Sequence, residues 1–195
     1  MSIILAIGAH YDDIELGCGC TLLKHAEKGD KIIFAITSSD EDRTGDIHTR
    51  CKEQKMSAKI IGVSKILKFS YRDDLIHEIV GHLDALSPDI IFTQFEFDTH
   101  QDHKRASTIG QAVGRKKNII TFLYDSGSAY NFYPNIYSII DWPSKSKLLY
   151  CYKSQIECGA INIDVLKKKS AYLGSLVSDN AYAEGLTVRR MIYDI

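Results

Sequence analysis

Two short segments concentrate the side chains that can hold a metal ion or move a proton. The first is Gly8, Ala9, His10, Tyr11, Asp12, Asp13, with Glu15 two residues on; the second is Asp98, Thr99, His100, Gln101, Asp102, His103. Imidazole nitrogen and carboxylate oxygen form a donor set that suits zinc, and a catalytic zinc keeps three protein ligands with a fourth position for water. A nucleotide-binding first turn would instead offer glycines and amide donors, because carboxylates there repel a pyrophosphate, so a Rossmann cofactor site is disfavoured. Taken alone, the first segment reads as acids capping a helix start. Two such clusters at one edge of one sheet are better explained by an ion that both can reach.

The elements that must position them are legible as alternating strands and helices. Ser2 to Gly8 is a continuous apolar run, as expected of a strand buried on both faces, and Leu16 to Lys28 follows as a helix closed by Gly29. Further strands are expected at Lys31 to Thr37, Lys65 to Ser70, Asp89 to Thr93 and Asn118 to Tyr124. Helices between them are marked by Ile47, Cys51, Ala58 and Ile61 before Gly62, by Leu75, Ile79, Leu83 and Leu86 after Asp73 and Asp74, and by the stretch from Asp102 to Arg115. After a polar and aromatic loop, Asp125 to Pro134, the spacing predicts a short strand at Ile136 to Ile140. Helices follow at Ser144 to Glu157 and Asp164 to Leu173. Right-handed crossovers place these strands in a mainly parallel sheet with helices on both faces, an α/β, Rossmann-like fold in a single domain over residues 1–195. Ligands of such sheets bind beyond the carboxyl ends of the strands, where both His/Asp clusters fall.

Composition narrows the function class. Of 195 residues, 45% are apolar and 25% charged, which excludes disordered and collagen-like chains. Twenty-four basic against 25 acidic residues leave a net charge of −1, without the basic excess of a nucleic-acid binder. The longest apolar runs are far shorter than a membrane span, no basic start resembles a signal peptide, and the five cysteines show no framework spacing, so a cytoplasmic location with reduced thiols is expected. Association with further copies of the chain is compatible with this composition.

On these residues the chain resembles the zinc-dependent N-deacetylases of the LmbE and PIG-L type. Their first signature, Ala-His-Pro-Asp-Asp before a glycine-rich helix start, is similar to Ala9 to Asp13 followed by Leu16, Gly17, Cys18 and Gly19. Their second, His-Pro-Asp-His, is similar to His100 to His103. Arg50, Glu53 and Gly62 resemble the family's arginine helix, Lys145 with Ser154 and Gln155 its lysine to Ser-Gln segment, and Ala183 with Glu184 its late Ala-Glu pair. The resemblance implies one zinc, or another divalent ion, on His10, Asp13 and His103. It also implies Asp12 as base for the zinc-bound water, protonated His100 at the oxyanion, Asp102 holding His100, and Arg50 on the substrate. The implied reaction is hydrolysis of the N-acetyl group of an amino sugar such as N-acetylglucosamine or its conjugate. The chain departs from the pattern at Tyr11 and Gln101, where proline is usual, and at Ile14, Cys20 and Tyr152.

Rival readings are a phospho-receiver-like signalling module built on Asp12 and Asp13, and a metal-binding protein without catalysis. The receiver reading leaves His100 and His103 unexplained. His25, His48, His77 and His82 are expected to be surface or packing residues, the run Asp40, Glu41, Asp42 a solvated loop, and Tyr124 core. Tyr130, Phe132 and Tyr133 could be core, a sugar-stacking wall or a partner surface.

Overall fold

A computed structural model describes residues 1–40, 46–72 and 74–191. Its elements, in chain order, are β1 (Ile3–Gly8), α1 (Asp13–Glu27), β2 (Lys31–Ile36), α2 (Ile47–Ile61), β3 (Lys65–Lys68), α3 (Ile76–Asp84) and β4 (Ile90–Gln94). They continue with α4 (Gln101–Val113), β5 (Ile120–Tyr124), β6 (Ile136–Ile140), α5 (Trp142–Leu149), α6 (Lys153–Glu157), α7 (Ile163–Ser175) and β7 (Tyr182–Arg190). One seven-stranded sheet runs β3-β2-β1-β4-β5-β7-β6. Its first five strands are parallel, and β7 joins antiparallel to both β5 and β6.

The α/β reading therefore holds, and the order explains where a site can form. From β1 the chain steps outward through β2 to β3, then returns to β4 on the other side of β1. That reversal leaves a crevice beyond the carboxyl ends of β1 and β4. The sheet is covered on both faces because alternate residues of its strands are apolar on each side. Ile4 and Ala6 of β1 join Ile32, Phe34 and Ile36 of β2 against Cys18, Ala58 and Ile61. Leu5 and Ile7 join Ile33 and Ala35 against α3 and α4, through Ile79, Leu83, Ala106 and Ile109. Each such fully buried aliphatic side chain contributes roughly 1.5–3 kcal/mol.

Three expectations are corrected. The helix expected over Ser144 to Glu157 is two, α5 and α6, separated at Tyr152, whose side chain is fully buried. α1 begins at Asp13, not Leu16, and is broken at Cys18, where φ is −144°. β7 carries no apolar run and was not expected. Its Glu184 is buried because it enters the break in α1: Oε1 accepts from Cys20 N at 3.0 Å and Oε2 from Thr21 N at 2.8 Å. Lys145 completes the arrangement, its Nζ donating to the carbonyls of Glu15 (2.7 Å) and Leu16 (2.9 Å) and to Glu184 Oε1 (2.5 Å). The carboxylate thus takes the amides freed at the start of the second half-helix, and the ammonium takes the carbonyls freed at the end of the first.

Asp40 is also not simply solvated, since its carboxylate accepts from Ser70 Oγ and Tyr71 N at 2.9 and 2.6 Å. Glu41, Asp42 and Asp73 lie outside the described residues. Tyr124 is core, as expected, while Tyr130 and Tyr133 are exposed.

Candidate metal centre

The turn after β1 is shaped by its own side chains. Asp12 caps α1 by position but makes no side-chain capping bond, so capping does not account for the acids here. Asp13 Oδ2 instead accepts from the backbone N–H of His10 at 2.7 Å, folding the turn back on itself. Tyr11, where the related pattern has proline, is tethered through its hydroxyl to Ser39 O at 3.1 Å. Gln94 Oε1 accepts from Ala9 N at 3.0 Å, tying the turn to β4. Below it, Tyr124 donates to Ile7 O at 2.8 Å, and its ring lies where a Cβ on Gly17 would be only 2.0 Å from Cδ2. Glycine at position 17 is therefore a packing requirement.

The second cluster arrives on α4, which His100 caps. His103 Nε2 lies 3.3 Å from Asp13 Oδ1, and His10 Nδ1 lies 3.3 Å from Asp13 Oδ2. One carboxylate thus stands between two imidazoles, all three groups buried, with donor atoms within 4.8 Å of one another. On its far side each imidazole meets a second carboxylate: His10 Nε2 faces Asp102 Oδ2 at 3.1 Å, and His103 Nδ1 faces Asp98 Oδ2 at 3.0 Å. Metal-binding histidines are normally oriented in this way, one nitrogen donating its hydrogen to a carboxylate and the other left to ligate. His10, Asp13 and His103 therefore fit a zinc-class ion in donor type, number and support. A second set within the same reach, His10, His100 and Asp102, fits less well, because Asp102 Oδ2 and His100 Nδ1 are already engaged within the cluster.

Electrostatics follow from the packing. Burial lowers the basicity of His10 and His103, but Asp13 and the outer carboxylates outweigh it and push them to about 9 and about 10. For Asp13 the opposing pull of burial is overcome by His103 and His10, which hold it well below the usual carboxylate range. Asp12 moves the other way. Burial and the neighbouring Asp13 charge raise it, partly offset by Arg50 and His10. Arg50 Nη2 lies 3.2 Å from Asp12 Oδ1, and the side chain is buried.

Two details add to the sequence expectation. The Asp102 carboxylate faces His10, and its backbone N donates to His100 Nδ1 at 3.2 Å. Burial, together with the charges of His10 and His103, lowers the pKa of His100. Asp98 received no role from sequence. It is the hub of the second turn, accepting from His100 N at 2.7 Å and Ser128 Oγ at 2.7 Å besides facing His103. Its position five residues before His103 was the available signal. Glu15 is a further buried acid against Ser57 and Tyr152, and burial pushes it up to about 8.

The family model described as PIG-L: GlcNAc-PI de-N-acetylase matches residues 5–113, more than half of the chain, including both turns that carry the candidate ligands. The chain is 34% identical over 113 residues to an uncharacterized deacetylase, YaiS of Escherichia coli K12, covering 51% of this chain and 61% of that protein. It spans about half to three-fifths of the length of the curated relatives it matches. In fold it is similar to the N,N'-diacetylchitobiose deacetylase of Pyrococcus horikoshii, with TM-score 0.81, 20% identity, and 96% of this chain and 83% of that one covered. It is similar also to GalB, the 4-carboxy-2-hydroxymuconate hydratase of Pseudomonas putida KT2440, with TM-score 0.77, 15% identity and full coverage of both. With the matched segment carrying His10, Asp12, Asp13, Arg50, His100 and His103, the chain belongs to the PIG-L family.

Proposed function

We propose that this chain, read as one domain, is a metal-dependent hydrolase that removes the N-acetyl group from an N-acetylated amino sugar or its conjugate. The observation that carries the reading is the Asp13 carboxylate set between two imidazoles, each backed by its own carboxylate, beside an acid held apart from them. His10, Asp13 and His103 are the residues that would hold the ion. Bound there, a zinc-class ion supplies Lewis acidity, easing deprotonation of water and polarising an acetamide carbonyl.

The remaining tasks fall to the chain's own side chains. Asp12, raised by burial and fixed at Oδ1 by Arg50, accepts the proton of the attacking water and returns it to the departing amine. His100 presents its Nε2–H to the developing oxyanion. Asp102 and Asp98 are positioning residues for His10 and His103. Arg50 orients Asp12 and adds a guanidinium contact to the non-reacting part of the substrate. All five cysteines are unpaired, which supports a cytoplasmic setting, and no helix among the described residues is long and apolar enough to cross a membrane.

The fold shared with a hydratase supports a second reading, water addition to a carbon–carbon double bond by the same groups. Acetate release from free, lipid-linked, thiol-conjugated and nucleotide-linked N-acetyl sugars separates the two. Variants test the roles. Asp13→Asn should lose metal affinity and regain activity in excess zinc, whereas Asp12→Asn should keep its metal and lose roughly a hundredfold or more in kcat without rescue. Equal metal loss in both variants would refute the division of labour.

A further inference from the structure

At the end of the sheet away from the candidate metal centre, a polar pocket of about 240 Å³ opens between the last turn of α4 and the ends of β5 and β7. It is lined by Gln111, Gly114, Arg115, Thr121, Arg189 and Arg190, with three guanidinium groups and, among the described residues, no lining carboxylate, although Glu96 Oε1 lies 3.5 Å from Arg189 Nη1. Consecutive residues of a strand send their side chains to opposite faces, so Arg189 and Arg190 would not ordinarily share a pocket. Here the register shifts: Phe122 pairs with Val188, but Thr121 pairs with Arg190. Arg189 is the extra residue of a β-bulge, a device that re-aims side chains.

The other groups support the same reading. Thr121 is 1% exposed and its Oγ1 has no hydrogen-bond partner, an arrangement that buried hydroxyls rarely keep. A Cβ at position 114 would fall 2.3 Å from that oxygen, so only glycine leaves it its place. Arg190 is held rigid by Nη1, which donates to the carbonyls of Gly114, Arg115 and Lys116 at 3.2, 2.8 and 2.8 Å. Those bonds also neutralise the negative end of α4, which would otherwise repel an anion.

We propose that this pocket binds a phosphate group, either inorganic phosphate or a phosphate monoester. Planar guanidinium donors on converging elements match a tetrahedral oxyanion, and the Thr121 hydroxyl gains the partner it lacks. The site shares no residue with the candidate metal centre, so it stands whether or not the chain is a deacetylase.

The test is calorimetric titration of the full chain with inorganic phosphate, and separately with glycerol 3-phosphate, at constant ionic strength in potassium chloride. One saturable site with a Kd below about 1 mM is expected for at least one ligand. Tighter binding of the ester identifies an organic phosphate as the occupant, and tighter binding of the free ion identifies phosphate itself. Arg189→Gln, which gives up a 3.5 Å ion pair with Glu96 at the surface, should fold normally and weaken binding about tenfold or more, as loss of a charge-assisted contact would. Thr121→Val should weaken it severalfold. Absence of saturable binding by both ligands, or unchanged affinity in both variants, overturns the proposal.

Discussion

Replacing Glu184 with glutamine leaves the shape of the α1 break intact and removes its negative charge. The Lys145 ammonium, 1% exposed and 2.5 Å from Glu184 Oε1, then sits in the interior without an anion. Breaking a buried pair from one side costs roughly 3–5 kcal/mol, because the surviving charge is uncompensated. Glutamine also retains only one good acceptor where the carboxylate accepted Cys20 N on one oxygen and Thr21 N and Thr21 Oγ1 on the other. The amide group turned toward Thr21 or Cys20 adds about 1 kcal/mol per lost bond. Against a typical total of about 5–15 kcal/mol, the expected loss is a large share of stability. Lys145→Met should cost a similar amount by stranding the carboxylate and the carbonyls of Glu15 and Leu16. The double variant carries neither charge and should cost less than the sum by roughly 2–3 kcal/mol, the signature of direct coupling. Urea unfolding of metal-free protein measures all three. A single-variant loss below about 1 kcal/mol, or additivity within about 0.5 kcal/mol, would refute the account of the pair as the structural filling of a broken helix.

Asp98→Ala should lower metal affinity about 10- to 100-fold in a chelator competition while the fold persists, since His103 loses the carboxylate that orients it. The metal-free protein should be most stable at and below about pH 6.5 with respect to His10 and His103. Both have folded-state pKa values raised, to about 9 and about 10, so their contribution is full below the unfolded value and disappears as pH rises through those values. Thermal melts from pH 6.5 to 10 follow this, and a rise in that window would contradict it. Metal loading at pH 7 displaces the same two protons, so calorimetry in buffers of different ionisation enthalpy should show release of about two per ion. Gly17→Ala forces a methyl group into the Tyr124 ring and should destabilise by roughly 1–3 kcal/mol. Gly81→Ala, with nothing within 4 Å of the new carbon, should stabilise α3 by about 0.5–1 kcal/mol, as measured by melting.

Most of the parallel sheet was legible because its strands are unbroken apolar runs and the intervening helices carry a clear periodic face. The reversal between β3 and β4, and with it the crevice, emerged only from the strand order in the structure. β7 was not legible, because the feature that lets Glu184 be buried is a lysine 39 positions away, and periodicity within a window cannot register a distant partner. The break at Tyr152 escaped for a related reason: helical residues continue through it, and only packing decides that the tyrosine turns inward. In the site, the three ligand candidates were readable as residue types at strand ends. The direction of Asp102 was not, since helix geometry rather than order along the chain sends its carboxylate to His10 and its amide to His100.

The ligand candidates come from turns about 90 residues apart that meet only because β1 and β4 lie side by side. Closing a loop of that length in an unfolded chain costs about 4 kcal/mol in entropy, before any other ordering. An ion therefore has no template to gather on while the polypeptide is disordered, unlike the closely spaced ligands of a zinc finger. The core must assemble first, without help from the ion, which under the proposed function would enter a finished cradle. Under the proposed function, metal is then a passenger of the native state: it would be withheld, exchanged or returned without the chain unfolding, and ion supply rather than synthesis of new protein would set the fraction of competent molecules.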